Sequence, residues 1–116
     1  MTHGEIWLID FGIPVGSLPA KIRPAVVMQN DLLGIKHLNT VVVIPFTSNL
    51  VSSEYEPNIF FKKEETGLSK DSVAVIHLIG AANKFCFERK ISKLSEENYQ
   101  KLIDAVVKLI TNKSNT

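Results

Sequence analysis

Arg23 and Thr47 are the two residues whose types and positions best suit chemistry on a phosphate group. Arg23 opens the run Arg23-Pro24-Ala25-Val26-Val27-Met28, and Thr47 ends the apolar run Val41-Val42-Val43-Ile44-Pro45-Phe46-Thr47, with Ser48 following. If these runs are neighbouring strands, a guanidinium and a hydroxyl stand together at one rim of a sheet. The guanidinium presents a rigid fork of donors to phosphate oxygens, and the hydroxyl adds another donor beside it. Each residue alone also has a structural reading, since threonine is common in strands and arginine at strand ends.

Other reactive residue types are scattered. Gly16-Ser17, Lys21 and Arg23 form a small polar, basic stretch, and Lys36-His37 lie on the following connection. Together they make either a local positive patch or ordinary solvated charges. Ser48 and Asn49 suit a turn. His77 lies within Val73-Ala74-Val75-Ile76-His77-Leu78-Ile79, and strict alternation puts it on the face of Val73 and Val75, partly buried. It is either a satisfied core histidine or a group able to move protons near neutral pH. Cys86, between Phe85 and Phe87, reads as a small residue in a strand rather than a nucleophile. Neither GxGxxG nor GxxxxGK[ST] occurs. His3, His37, His77 and Cys86 have no zinc-site spacing, so a mechanism without metal or cofactor is the simpler expectation.

These residues need a scaffold, and 116 residues with 45% hydrophobic content suit one domain over residues 1–116. The net charge of +1 gives no support for strong nucleic-acid binding, so any basic site must be local. One cysteine precludes an intramolecular disulfide and is compatible with a reducing cytoplasm. The N-terminus lacks a signal-peptide pattern, and no apolar stretch is long enough to span a membrane.

Strands are expected at 5–11, 24–29, 40–46, 58–62, 72–79 and, more weakly, 85–91, from their apolar, β-branched and aromatic content. The third is nearly all apolar and so buried on both faces, with Pro45 ending its pairing. Residues 12–22 and 47–57 read as long loops, 30–39 as a connection containing Gly34, and 67–70 as a turn. The period then changes. Ser95 suits an N-cap, Glu96 and Glu97 the first helical turn, and Lys108 and Lys113 the C-terminal end. Tyr99, Leu102, Ile103, Val106 and Ile110 recur at helical spacing. Five or six strands and one amphipathic helix make a mainly β domain, a small and strongly bent sheet or partly open barrel against which the helix buries its stripe.

The order of the motifs carries more than any one of them. Gly4-Glu5-Ile6-Trp7, Gly16-Ser17, Arg23-Pro24-Ala25-Val26-Val27, Ile44-Pro45-Phe46-Thr47-Ser48, then Gly67-Leu68-Ser69-Lys70-Asp71-Ser72-Val73-Ala74 and a closing helix resemble the MazF/PemK toxin family over essentially the whole chain. That resemblance implies an SH3-like (CcdB/MazF-like) barrel and a homodimer. It implies a metal-independent endoribonuclease that cuts single-stranded RNA, mostly mRNA, at a short sequence and leaves a 2′,3′-cyclic phosphate and a 5′-hydroxyl. It also implies a cognate antitoxin whose disordered, acidic tail covers the active groove.

On this resemblance the catalytic positions fall on Arg23 and Thr47, with RNA contacts at Ser17, Lys21, Ser48 and His77. The RNA supplies its own 2′-OH nucleophile, so the protein has only to move protons and stabilise charge on the phosphate. The chain departs from many relatives at Leu18-Pro19, where they have Glu-Gln after Gly-Ser, and at His77-Leu78, where they have an acid and Gln. His77 is therefore a candidate to replace that acid in proton transfer. The alternative of the same fold is a non-catalytic toxin resembling the CcdB gyrase poisons, acting through the end of its C-terminal helix. The polar ending Thr111-Asn112-Lys113-Ser114-Asn115-Thr116 offers no aromatic anchor for that role. A third reading, an SH3-like interaction module, needs an exposed aromatic groove drawn from Trp7, Phe46, Phe60, Phe61, Phe85 and Phe87.

Overall fold

Alternation along the β-branched runs builds the sheet. The computed structural model describes residues 1–31 and 37–111; Gly34, Lys36 and Lys113 lie outside the described residues. Seven strands occur among them: β1 (Glu5–Asp10), β2 (Ile22–Val27), β3 (Thr40–Thr47), β4 (Ile59–Phe61), β5 (Ser72–Ala74), β6 (Gly80–Asn83) and β7 (Phe87–Lys93). Two helices join them, the single turn α1 (Lys63–Thr66) and the closing α2 (Glu96–Thr111). The sheet order is β4-β5-β3-β2-β1-β7, with β6 also paired to β3.

Every strand pair is antiparallel, and the sheet curls so that both of its faces are covered. Ile6, Val26, Ile44 and Phe46 face one way and pack with Phe61, Leu102 and Ala105. Ile9, Ala25, Val27, Val41 and Val43 face the other way and pack with Ala82, Trp7 and Phe87. Hence β3 reads as an unbroken apolar run: its two alternating sets of side chains belong to two cores.

Several sequence expectations are corrected. The run 72–79 is not one strand. Opposite β3, Phe46 pairs with Ala74 and Val43 with Gly80, so the chain carries three extra residues there. They loop out as a 3-10 turn at Ile76–Leu78, which leaves Ile76 buried and His77 exposed rather than partly buried. Phe85 and Cys86 belong to a second such turn, so β7 begins at Phe87. A third 3-10 turn, Leu50–Glu54, sits within the loop expected at 47–57. Pro45 ends the pairing of β3 with β2, but β3 continues against β5.

The helix is capped as expected. The Ser95 hydroxyl accepts from Asn98 N–H at 3.1 Å, and its carbonyl from Tyr99 N–H at 2.9 Å. Tyr99, Leu102 and Ala105 form the buried stripe, while Ile110, expected in it, is exposed beyond the sheet. No helix among the described residues is long and apolar enough to cross a membrane.

Candidate active site

Pairing between β2 and β3 runs through Val27↔Val43, Val26↔Ile44 and Ala25↔Pro45, and then stops. Continuing that register by two residues puts Arg23 opposite Thr47. Here the two strands part, and a groove of about 640 Å³ opens. Its floor extends the face of the first core through Leu8, Pro24, Phe46 and Ile91. Arg23 and Thr47 sit one residue off that face, at the rim, with Ser48 beside them.

Local bonds aim both groups. The Arg23 Nε–H donates to the Ala20 carbonyl at 3.0 Å, which fixes the guanidinium plane and leaves its two terminal amino groups for a ligand. Thr47 Oγ1 accepts from Asn49 N–H at 3.1 Å. One of its two acceptor sites is thus taken up locally, and the hydroxyl proton can be donated to a ligand.

The second wall is built by the segment that follows α1. Gly67 ends that helix at φ 75°, and its N–H donates to the Lys63 carbonyl at 2.8 Å. A Cβ at this position would stand 3.0 Å from the Ser92 Cβ, so both the turn and the close approach call for glycine. From there Leu68, Ser69 and Lys70 run along the groove. Ser72, itself buried, donates from its hydroxyl to the Lys70 carbonyl at 3.0 Å and steadies the turn that carries Lys70. Arg89 of β7 completes the lining.

Among the described residues, three cations, Arg23, Lys70 and Arg89, therefore border the groove, and no carboxylate does. Among the described residues none of the three is paired with an acid. Asp71, next to Lys70 in sequence, is turned to α1, where Oδ1 accepts from Lys63 N–H at 2.9 Å. A near-neutral chain thus carries a one-signed cleft suited to a polyanion. No cluster of three His, Cys, Asp or Glu able to hold a metal occurs among the described residues.

Of the expected site residues, Arg23, Thr47 and Ser48 come together. Ser17 and Lys21 do not border the groove; both are exposed on the first loop. That loop is closed at its neck by Lys21 N–H to Gly12 carbonyl (2.7 Å) and Phe11 N–H to Lys21 carbonyl (2.8 Å), with Lys21 at φ 60°. His77 also lies off the groove, on the turn that packs against α2. Sequence reasoning missed Lys70 and Arg89. The signal for Arg89 was its alternation with Ile91, but the pairing of β7 with β1 was needed to bring it to the groove.

Comparison with known proteins gives a consistent picture. Residues 2–110 match the family described as PemK-like, MazF-like toxin of type II toxin-antitoxin system. The chain is 37% identical to Endoribonuclease MazF2 of Mycobacterium bovis over 84 residues, covering 72% of this chain and 74% of that one. It is 29% identical to Endoribonuclease MazF of Staphylococcus saprophyticus over 106 residues, covering 91% and 88%. In fold it is similar to MazF from Deinococcus radiodurans (TM-score 0.77, 13% identity, 95% and 96% covered). It is similar too to a mycobacterial endoribonuclease in complex with its cognate antitoxin (TM-score 0.68, 14% identity, 92% and 91% covered).

Proposed function

The chain belongs to the PemK-like, MazF-like toxins of type II toxin–antitoxin systems, and from that membership we propose how its groove works. It is an endoribonuclease toxin neutralised by an antitoxin. Its substrate is single-stranded RNA, chiefly mRNA, cut at a short sequence in the cytoplasm. The observation that carries the mechanism is the rim position of Arg23 and Thr47, opposite in register where β2 and β3 part.

The terminal amino groups of Arg23 grip the non-bridging oxygens of the scissile phosphate, and Thr47 donates its hydroxyl proton to one of them. Both contacts strengthen as negative charge builds in the transition state. The 2′-OH of the RNA attacks the adjacent phosphorus, and the bond to the 5′-oxygen of the next nucleotide breaks. The products are a 2′,3′-cyclic phosphate and a 5′-hydroxyl, with one proton leaving the 2′-oxygen and one joining the 5′-oxygen. No metal takes part. Arginine keeps its proton, so Arg23 acts through charge. Ser48 hydrogen-bonds the backbone next to the cut. Ser17, Lys21 and His77 reach RNA only if it extends past the groove, and His77 remains a candidate proton carrier there.

The protein works as a homodimer. Support comes from large apolar side chains left uncovered on a single chain, including Ile13, Phe85 and Ile110. The gyrase-poison alternative depended on the C-terminal tail, of which residues 112–116 lie outside the described residues.

RNA incubated with the protein in EDTA tests the mechanism. Wild type should cut, and Arg23→Ala and Thr47→Ala should each lose about 100-fold in rate, the scale of one lost transition-state donor. Cleavage at equal rates by wild type and Arg23→Ala overturns it. RNA left intact by all three does so as well.

A further inference from the structure

The groove's cations are not clustered around Arg23; they are strung across the sheet. Strands β5, β3, β2, β1 and β7 are successive neighbours. Lys70 lies on the turn just before β5, Thr47 ends β3, and Arg23 is the second residue of β2. Leu8 of β1 pairs with Pro24 on one side and with Arg89 on the other. Paired residues of antiparallel strands point to the same face, so Arg89 projects onto the groove floor with Leu8 and Pro24. Neighbouring strands are about 4.8 Å apart, so the track from β5 to β7 runs about 19 Å along the arc of the sheet, and the straight span across the groove is shorter because the sheet curls until Gly67 packs on Ser92 of β7.

We propose that Lys70 and Arg89 hold the backbone phosphates on opposite sides of the scissile phosphate, so that the RNA crosses the strands with Arg23 and Thr47 between the two anchors. This rests on the reading of the groove as the RNA-cleavage site. Three features favour it. Each anchor is exposed and, among the described residues, unpaired with an acid, so no ion pair has to be broken. Lys90, next to Arg89, is by contrast committed to Glu5 at 3.2 Å. The hydroxyl of Ser72 fixes the turn that presents Lys70. Arg89 lies on a seven-residue strand, which gives its backbone a firm position. Lys70 and Arg89 are positioning residues in this scheme: they set register and affinity, while the chemistry stays with Arg23 and Thr47.

The scheme has a directional consequence. An RNA shortened from one end loses the phosphate held by one anchor and keeps the other. The probes are an RNA containing the cleaved sequence and its analogue with a 2′-O-methyl group at the cut. The dissociation constant of the analogue is measured over a range of salt for wild type, Lys70→Ala, Arg89→Ala and the charge-matched control Lys101→Ala, whose side chain is exposed on α2. Each anchor variant should weaken binding several-fold and lower the slope of log affinity against log salt by about 0.7, the value for one phosphate contact on a single strand. Lys101→Ala should change neither. Truncation from one end should abolish the penalty of Arg89→Ala alone, and truncation from the other that of Lys70→Ala alone.

If wild type cuts RNA but both anchor variants keep its affinity and salt slope, the two-anchor scheme fails while the nuclease reading stands. It also fails if both penalties vanish on truncation from the same end. If wild type leaves the unmodified RNA intact, both readings fall together.

Discussion

His3 ties together three separated stretches of chain. Its Nδ1 lies 3.1 Å from Asp31 Oδ2, its Nε2 2.9 Å from Glu96 Oε1, and its ring packs on Tyr99 with centroids 4.8 Å apart. The hydrogen bond with Glu96 and then that with Asp31 raise its pKa above 6.5, against the smaller opposing effect of burial. The raised value fixes the sign of the pH dependence. The folded protein holds the proton more tightly than the unfolded chain, so this stabilisation is complete below about pH 6.5 and is lost as pH rises through the folded value. The urea midpoint of wild type should therefore fall between about pH 6 and pH 8, and Glu96→Gln should flatten that fall. Parallel profiles for the two proteins would show that His3 contributes nothing. Glu5 shows the opposite shift. Burial pushes its carboxyl up, but hydrogen bonds from Trp7, Thr2 and Lys90 outweigh that and bring it down to about 2. At this scale the sequence was only partly legible. Gly4-Glu5-Ile6-Trp7 stood out as a motif, yet the bond from Trp7 Nε1–H to Glu5 Oε1 at 3.0 Å, and the Lys90 that joins it from β7, depend on a fold not yet in hand. Arg23 was legible because proline fixes the start of its strand, and Thr47 because its apolar run ends there.

Gly67 shows how an element governs the site. It closes α1 in the left-handed region and aims Leu68, Ser69 and Lys70 along the groove. Gly67→Ala places a Cβ at φ 75° and against Ser92, whose own hydroxyl donates to the Thr66 carbonyl. Denaturant titration should register a loss of about 1–2 kcal/mol from the left-handed conformation alone. RNA affinity should fall as well, because relief of the contact shifts the wall that carries Lys70. Unchanged stability would mean that α1 ends by another route. The elements themselves were mostly legible: β1 to β4 and α2 have the period or the composition of what they become. The failures at 72–79 and 85–87 share one cause. A 3-10 turn that keeps Ile76 buried preserves the apolar run of a strand, so composition cannot reveal that His77 has been turned out to solvent. Only pairing with β3, which accommodates three residues fewer, exposes the break.

For the whole molecule, the decisive feature is a one-signed groove on a chain of net charge +1. RNA is a flexible polyanion, as an acidic antitoxin tail would be, and the same three cations would receive either. If the tail lies in this groove, inhibition is competitive: the antitoxin raises the KM for RNA and leaves kcat unchanged at saturating RNA. Linkage then requires that RNA weaken antitoxin binding by the same factor as the antitoxin weakens RNA binding. Added salt should weaken both, through release of counterions from RNA and screening of the acidic side chains. Arg89→Ala separates the two possible modes of inhibition. It should reduce affinity for RNA and for the acidic tail together if the tail occupies the track, whereas an antitoxin seated elsewhere would lose nothing. Steady-state kinetics with the antitoxin titrated at several RNA concentrations, repeated with Arg89→Ala, decides between them. A fall in kcat with KM unchanged would place the tail outside the groove.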